Sequence, residues 1–158
     1  KHKKMDDIKK LLSDLHSQAA DLRNSATMAL WNRWYFEAGK VAESDIRKGE
    51  GLLHLQQFED ARLHFKKVVE TYPNFAEAHN KLATVFFLLE EYENSVTECK
   101  VTLKMNPYHF GAWHGMGLCL FKLARYSEAI ESFKSALEIQ PYANINRKYI
   151  ATCMGNLN

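Results

Sequence analysis

Three prolines constrain this chain more than any other feature. Pro73, Pro107 and Pro141 are its only prolines, and each follows the last by 34 residues. Aligned on them, the same pattern appears three times between Val41 and Tyr142. A period of this length is the signature of a stacked array in which each supersecondary unit covers the next. Proline cannot continue a helix, so it closes each unit and sets the next turn.

With position 1 placed at Ala42, Ala76 and Phe110, the register sorts the residues. Position 8 must be small because two helices cross there, and it is Gly49, Ala83 and Gly117. Position 20, at the same crossing, is Ala61, Ser95 and Ala129. Position 17 opens the second helix with Phe58, Tyr92 and Tyr126, and position 24 is Phe65, Cys99 and Phe133. Each unit reads as two amphipathic helices joined by a tight turn. The spacing predicts helices over 42–55 and 58–71, 75–89 and 92–105, and 109–123 and 126–139. After Pro141 the pattern restarts, with Ile150 at position 7 and Cys153 at position 10, but no second helix follows. A solvating helix is expected over 143–155.

These residues resemble the tetratricopeptide repeat. The third unit is nearest its signature, with Trp113, Met116, Gly117, Leu120, Tyr126, Ala129, Phe133, Ala136 and Pro141 in place. The second departs at Cys99 and Thr102, and the first at Asp45 and Lys48. The resemblance implies an all-α, right-handed superhelical solenoid of three units (42–75, 76–109, 110–143) between N-terminal helices over 1–41 and a capping helix over 143–158. A narrower likeness, to small tetratricopeptide proteins of bacteria and plastids, rests on Leu30–Trp34, Ala78–Thr84 and Pro107–Ala112. It favours a bacterial or plastid origin and carries no activity.

Before the repeats, Met5, Ile8, Leu12, Leu15, Ala19 and Leu22 advance in steps of three and four, which predicts one helix over 5–22. That seam is expected to pack along the array, with pairing of two chains into a homodimer as the alternative. Ser25 is the expected N-cap of a second helix over 26–38 that Gly39 ends. Trp31, Trp34 and Tyr35 share a face of it and are expected to cap the core of the first repeat.

Charge excludes some functions. The chain has 21 Lys+Arg against 19 Asp+Glu, and a net charge of +2 gives no electrostatic case for nucleic acid. The basic run Lys1-His2-Lys3-Lys4 reads as a solvated tail. No apolar run approaches the ~20 residues of a membrane span. Cys99, Cys119 and Cys153 form no framework, which points to a reducing interior, cytoplasm or plastid stroma. A chain beginning with Lys is expected to be part of a longer protein.

Nothing assembles a catalyst. The seven histidines lack zinc-protease spacing, and no cysteine pair has ligand spacing. Cys119 and Cys153 both fall at position 10, a packing position. No cofactor and no metal are expected, and the chain reads as non-enzymatic.

What remains is the groove that the resemblance assigns to the first helices at positions 2, 5, 6, 9, 12 and 13. Its expected peptide-binding residues are Arg47, Leu53, Asn80, Lys81, Thr84, Phe87, His114, Phe121 and Lys148. Leu53, Phe87 and Phe121 recur at position 12 as an apolar strip, and Gly111 and Gly115 leave room for a partner. The cations suit a peptide or helix of another protein carrying acidic residues. Chaperone co-factors of this family grip a C-terminal carboxylate through Lys, Asn and Arg at fixed positions. Here those positions hold Ile46, Glu50, Lys81, Gly111 and Gly115, so a chaperone tail is not the expected partner.

Overall fold

The computed structural model describes residues 2–158, with side chains from Asp7 onward. The basic tail and Met5 of the expected seam lie outside the described side chains. Among the described residues the chain is all helix: α1 His2–Asp14, α2 Ala20–Phe36, α3 Lys40–His54, α4 Phe58–Thr71, α5 Ala76–Leu88, α6 Tyr92–Met105, α7 Phe110–Lys122, α8 Tyr126–Ile139 and α9 Asn144–Leu157. Helices α3 to α8 form three hairpins, and each packs on the next, with α9 closing the stack.

The helix crossings follow from side-chain size. A Cβ on Gly49 would fall 2.1 Å from Cζ of Phe65, and one on Gly117 would fall 2.6 Å from Cε1 of Phe133. In these two units position 8 is bare because a phenyl ring fills the space above it. The second unit reverses the arrangement, placing Ala83 against the smaller Cys99 side of the same core. There Ser95 at position 20 donates to the Ala83 carbonyl at 2.7 Å.

Polar contacts repeat with the same period. The carbonyls of Pro73, Pro107 and Pro141 pair with His79 Nε2 at 3.3 Å, Trp113 Nε1 at 2.9 Å and an Arg147 guanidinium nitrogen at 2.8 Å. Three different side chains at position 4 thus deliver an N–H to the proline carbonyl just beyond the C-cap of each second helix. Gln56, Glu90 and Ala124, each in the turn inside a unit, take positive φ of 58°, 61° and 58°. The next residues' N–H groups reach back to Leu52, Phe86 and Leu120, closing the first helices with the hydrogen bond typical of a left-handed terminus.

The N-terminal region differs from the sequence expectation. The helix predicted over 5–22 is broken between Asp14 and Ala20. Ser17 Oγ accepts from the Ala19 N–H, and Leu15 turns into the core at 2% exposure. Seam residues Ala19 and Leu22 are consequently exposed. Ser25 lies inside α2, whose N-cap is Ala19. Gly39 does end the segment, with φ of 96° and ψ of 178°, a conformation that a Cβ disfavours.

Helix α2 also reaches farther than the first repeat. Tyr35 joins the core of that repeat, as expected. Trp34 instead stacks on His109 at 4.5 Å, and Trp31 meets His109 and Phe110 edge-on at 5.1 and 5.4 Å. Leu30 and Ala26 are buried with Phe110 and Ile139, while Arg23 covers the Tyr142 ring at 4.0 Å. Trp31 therefore packs on the first repeat's core as expected and also reaches α7, whereas Trp34 binds α2 across the start of α7. Apolar area decides this: full burial of Leu30 alone contributes about 1.5–3 kcal/mol.

Candidate functional site

Helix α2 divides the row of first helices into a covered half and an open half. The cover lies over Ile46, Glu77, Lys81 and Gly111, whereas Asn80, His114 and Gly115, also at positions 5 and 6, border the open side. Ile46, Glu77 and Asn80 are buried, and a Cβ on Gly111 would stand 2.7 Å from Cη2 of Trp31. Lys81 Nζ sits 5.0 Å from the Tyr35 ring centroid and 5.9 Å from that of Trp31, and 3.6 Å from the Glu50 carboxylate. Arg47 remains exposed but lies over the Tyr35 ring at 5.1 Å. The Tyr35 hydroxyl donates to Glu50 at 2.8 Å, and burial holds its pKa above the ordinary tyrosine value. The expectation that Lys81 faces a partner freely is thus corrected: the aromatic face of α2 occupies that surface, while Asn80 is largely buried at the edge of the open side.

A buried polar cluster lies beneath the cover. His109 caps α7 by accepting the Ala112 N–H at Nδ1, so its proton is on Nε2, which donates to Glu77 at 2.9 Å. The second Glu77 oxygen accepts from Asn80 at 2.8 Å. Among the described residues no buried side-chain polar atom lacks a partner. Glu77 falls at position 2, a position expected to face the groove. The missing signal was the tryptophan helix that seals it, more than 40 residues away in the chain.

In the second and third units positions 9, 12 and 13 stay open. A slot of about 210 Å³ lies between α5 and α7, bordered by Asn80, Thr84, Phe87, His114, Gly115 and Leu118. Four of the nine expected binding residues, Asn80, Thr84, Phe87 and His114, therefore meet at one place. A Cβ on Gly115 would meet only the Cys99 sulfur, at 4.0 Å, so the slot owes its depth to the missing side chain. His114 Nδ1 is held 2.8 Å from Asn146 Oδ1, which ties α9 to the slot wall.

The apolar strip is half core. Phe87 packs edge-on against Tyr92 at 5.6 Å. Phe121 packs against Tyr126 and Tyr149 at 5.9 and 5.6 Å. Leu53 is half-buried beside the first repeat's core, while Lys148 is exposed on α9. Leu53, Phe121 and Lys148 do not border the slot. The three thiols are buried and free, and burial raises the pKa of Cys99 to about 12. Cys119 donates its S–H to Ser95 at 3.1 Å. These are packing thiols: a nucleophilic cysteine needs its pKa lowered.

Comparison with known proteins agrees with the geometry. Sequence profiles described as tetratricopeptide repeat match residues 46–109 and 111–142, together more than half of the chain. No curated protein sequence matches it. Among solved structures, the first TPR domain of Spaghetti (RPAP3), bound to an HSP90 peptide, superposes with a TM-score of 0.72 at 18% identity, over 73% of this chain and 92% of that one. The Arabidopsis OM64 TPR domain gives 0.70 at 18% identity, over 72% and 94%. The MamA crystal structure gives 0.69 at 20% identity, over 73% and 63%. Identities this low speak for the fold alone, and the profile matches carry the family. The chain belongs to the tetratricopeptide-repeat family.

Proposed function

We propose that the protein is a non-catalytic protein-interaction module, serving as a scaffold, assembly or regulatory factor. Its open half-groove would take a peptide or helix of another protein. The slot between α5 and α7 carries this reading. It is concave, its walls join apolar Phe87 and Leu118 to polar Thr84 and His114, and two independent helices build it. That mixture suits an apolar anchor with a few hydrogen bonds to fix its orientation. Lys122 and Lys148, exposed on the adjoining helices, favour a partner with acidic residues.

Solved relatives include TPR domains bound to HSP90 and HSP70 peptides. A different partner is favoured here. Of the positions that would grip a chaperone tail, Ile46 is buried, Glu50 is engaged by Tyr35 and Lys81, and Gly111 lies under Trp31. Pairing of two chains through the N-terminal helices is the weaker alternative, because Leu15, Leu30 and Trp34 are already buried within one chain. Buried, high-pKa thiols support a module without chemistry of its own, and fit a reducing compartment.

Gly115→Met tests the groove. The methionine would fill the slot, and its Cβ meets only one atom at ordinary contact distance. Affinity capture with the native chain should recover partners that the variant loses, with helicity unchanged. Equal recovery by both would remove the slot from the binding face.

A further inference from the structure

The polar atoms around the slot between α5 and α7 have their hydrogens already placed by neighbours. Asn80 turns its amide nitrogen onto the Glu77 carboxylate at 2.8 Å. An ionised carboxylate only accepts, so the nitrogen faces it and the amide oxygen faces away. Among the described residues that oxygen takes no hydrogen bond, and since no buried polar atom goes unpaired, it reaches open space. Thr84 gives its hydroxyl hydrogen to the Asn80 carbonyl at 3.1 Å, one turn back on α5. Ser95, deeper in the slot, gives its own to the Ala83 carbonyl.

The facing helix is set in the same sense. Asn146 donates through Nδ2 to the Ala143 carbonyl at 3.4 Å, which turns its amide oxygen to His114 Nδ1. That ring nitrogen therefore carries the proton, and in the neutral ring Nε2 is an acceptor. Nε2 has no partner among the described residues. The slot is thus bordered by Asn80 Oδ1, Thr84 Oγ1 and His114 Nε2, three acceptors. Against them stands the second amide hydrogen of Asn80.

We propose that the slot selects a tryptophan side chain of the partner, whose indole N–H donates to this acceptor-lined wall. The proposal rests on the groove reading above and narrows it to one kind of anchor. Indole is a donor only, whereas the tyrosine hydroxyl also brings lone pairs and phenylalanine or leucine would cover the acceptors without satisfying them. Lysine and arginine donate too, but lack the flat apolar body that Phe87 and Leu118 would bury. Size agrees. A cavity of about 150 Å³ holds benzene, so about 210 Å³, deepened by the missing side chain of Gly115, has room for a fused second ring.

Two probes of one shape test this: 3-methylindole, and 3-methylbenzofuran, in which a ring oxygen replaces the N–H. Each is titrated into the intact chain at about pH 8, where imidazole is neutral, and followed by amide shifts in proton–nitrogen NMR. The indole should move the amides around Thr84, His114 and Gly115 and bind about tenfold tighter than the benzofuran. Gly115→Met, checked for folding by circular dichroism, should abolish both responses. Equal affinities at those amides would overturn the tryptophan proposal while leaving the slot as an apolar binding site. If neither probe moves those amides in the native chain, the proposal is overturned too, and the groove reading then stands or falls on affinity capture alone. Responses that persist unchanged in a folded Gly115→Met chain would overturn it as well, since the probes would then sit elsewhere.

Discussion

Alanine at Gly49 and alanine at Gly51 are the same chemical change, two residues apart on α3, yet they should move stability in opposite directions. Replacing a helical glycine by alanine gains about 0.5–1 kcal/mol by restricting the unfolded chain. At Gly51 nothing lies within 4 Å of the added Cβ, so that gain is realised. At Gly49 the Cβ falls 2.1, 2.4 and 2.7 Å from three atoms of the Phe65 ring, where ordinary carbon contacts stand at about 3.5–4 Å. Phe65 is fully buried, so its ring can move only by displacing other core atoms. Overpacking of this kind costs about 1–3 kcal/mol, which leaves a net loss of about 1–2 kcal/mol after the helix gain. The helix gain is common to both, so the two variants should differ by the overpacking cost, about 1–3 kcal/mol. Urea unfolding followed by far-ultraviolet circular dichroism reads this directly, and the melting temperatures should separate by several degrees. Equal shifts in the two variants would refute the pairing of bare position 8 with the position 24 ring.

Further outcomes follow from the repeated contacts. Ala124→Gly should raise stability by about 0.5–1 kcal/mol, because alanine at φ of 58° carries left-handed strain that exceeds the entropy cost of glycine; an unchanged urea midpoint would contradict this. His79 is held between Glu98 at 2.7 Å and the Pro73 carbonyl, and the Glu98 hydrogen bond raises its pKa above the usual 6.5 against the opposing effect of burial. With a folded pKa above the unfolded one, its contribution is fully present below about pH 6.5 and is lost as pH rises through the raised value. His79→Gln should remove that decline from a plot of stability against pH, and an identical slope in the variant would count against the charged pair.

The repeats were legible because their constraints are local. A proline, a small residue at the crossing and an aromatic at the second helix start each act within 34 residues, and α4, α6 and α8 begin and end where the spacing predicts. The N-terminal region was not legible for the opposite reason. Its apolar steps of three and four continue through the break at Leu15–Ala19, where a serine side chain and a buried leucine outweigh the helical period. The destination of Trp34 is His109, a contact across 75 positions that no local pattern encodes. For the same reason Glu77 stands at a groove position although the helix above seals it. The position 4 donors were hidden differently. Histidine, tryptophan and arginine share no hydropathy, only an N–H at the reach of a proline carbonyl. In the site, Thr84, Phe87 and His114 were named from the register together with the groove that the tetratricopeptide resemblance implies, whereas the restriction of the groove to its open half needed the position of α2.

Site-specific photocrosslinking tests the central claim, that partners dock on the open half of the first-helix face, most directly. A photoreactive phenylalanine analogue at Thr84, exposed beside the slot, should give covalent adducts with bound protein. The same group at Leu63, 63% exposed on α4, should give none. Adducts from Leu63 alone, or equally from both positions, would contradict the account.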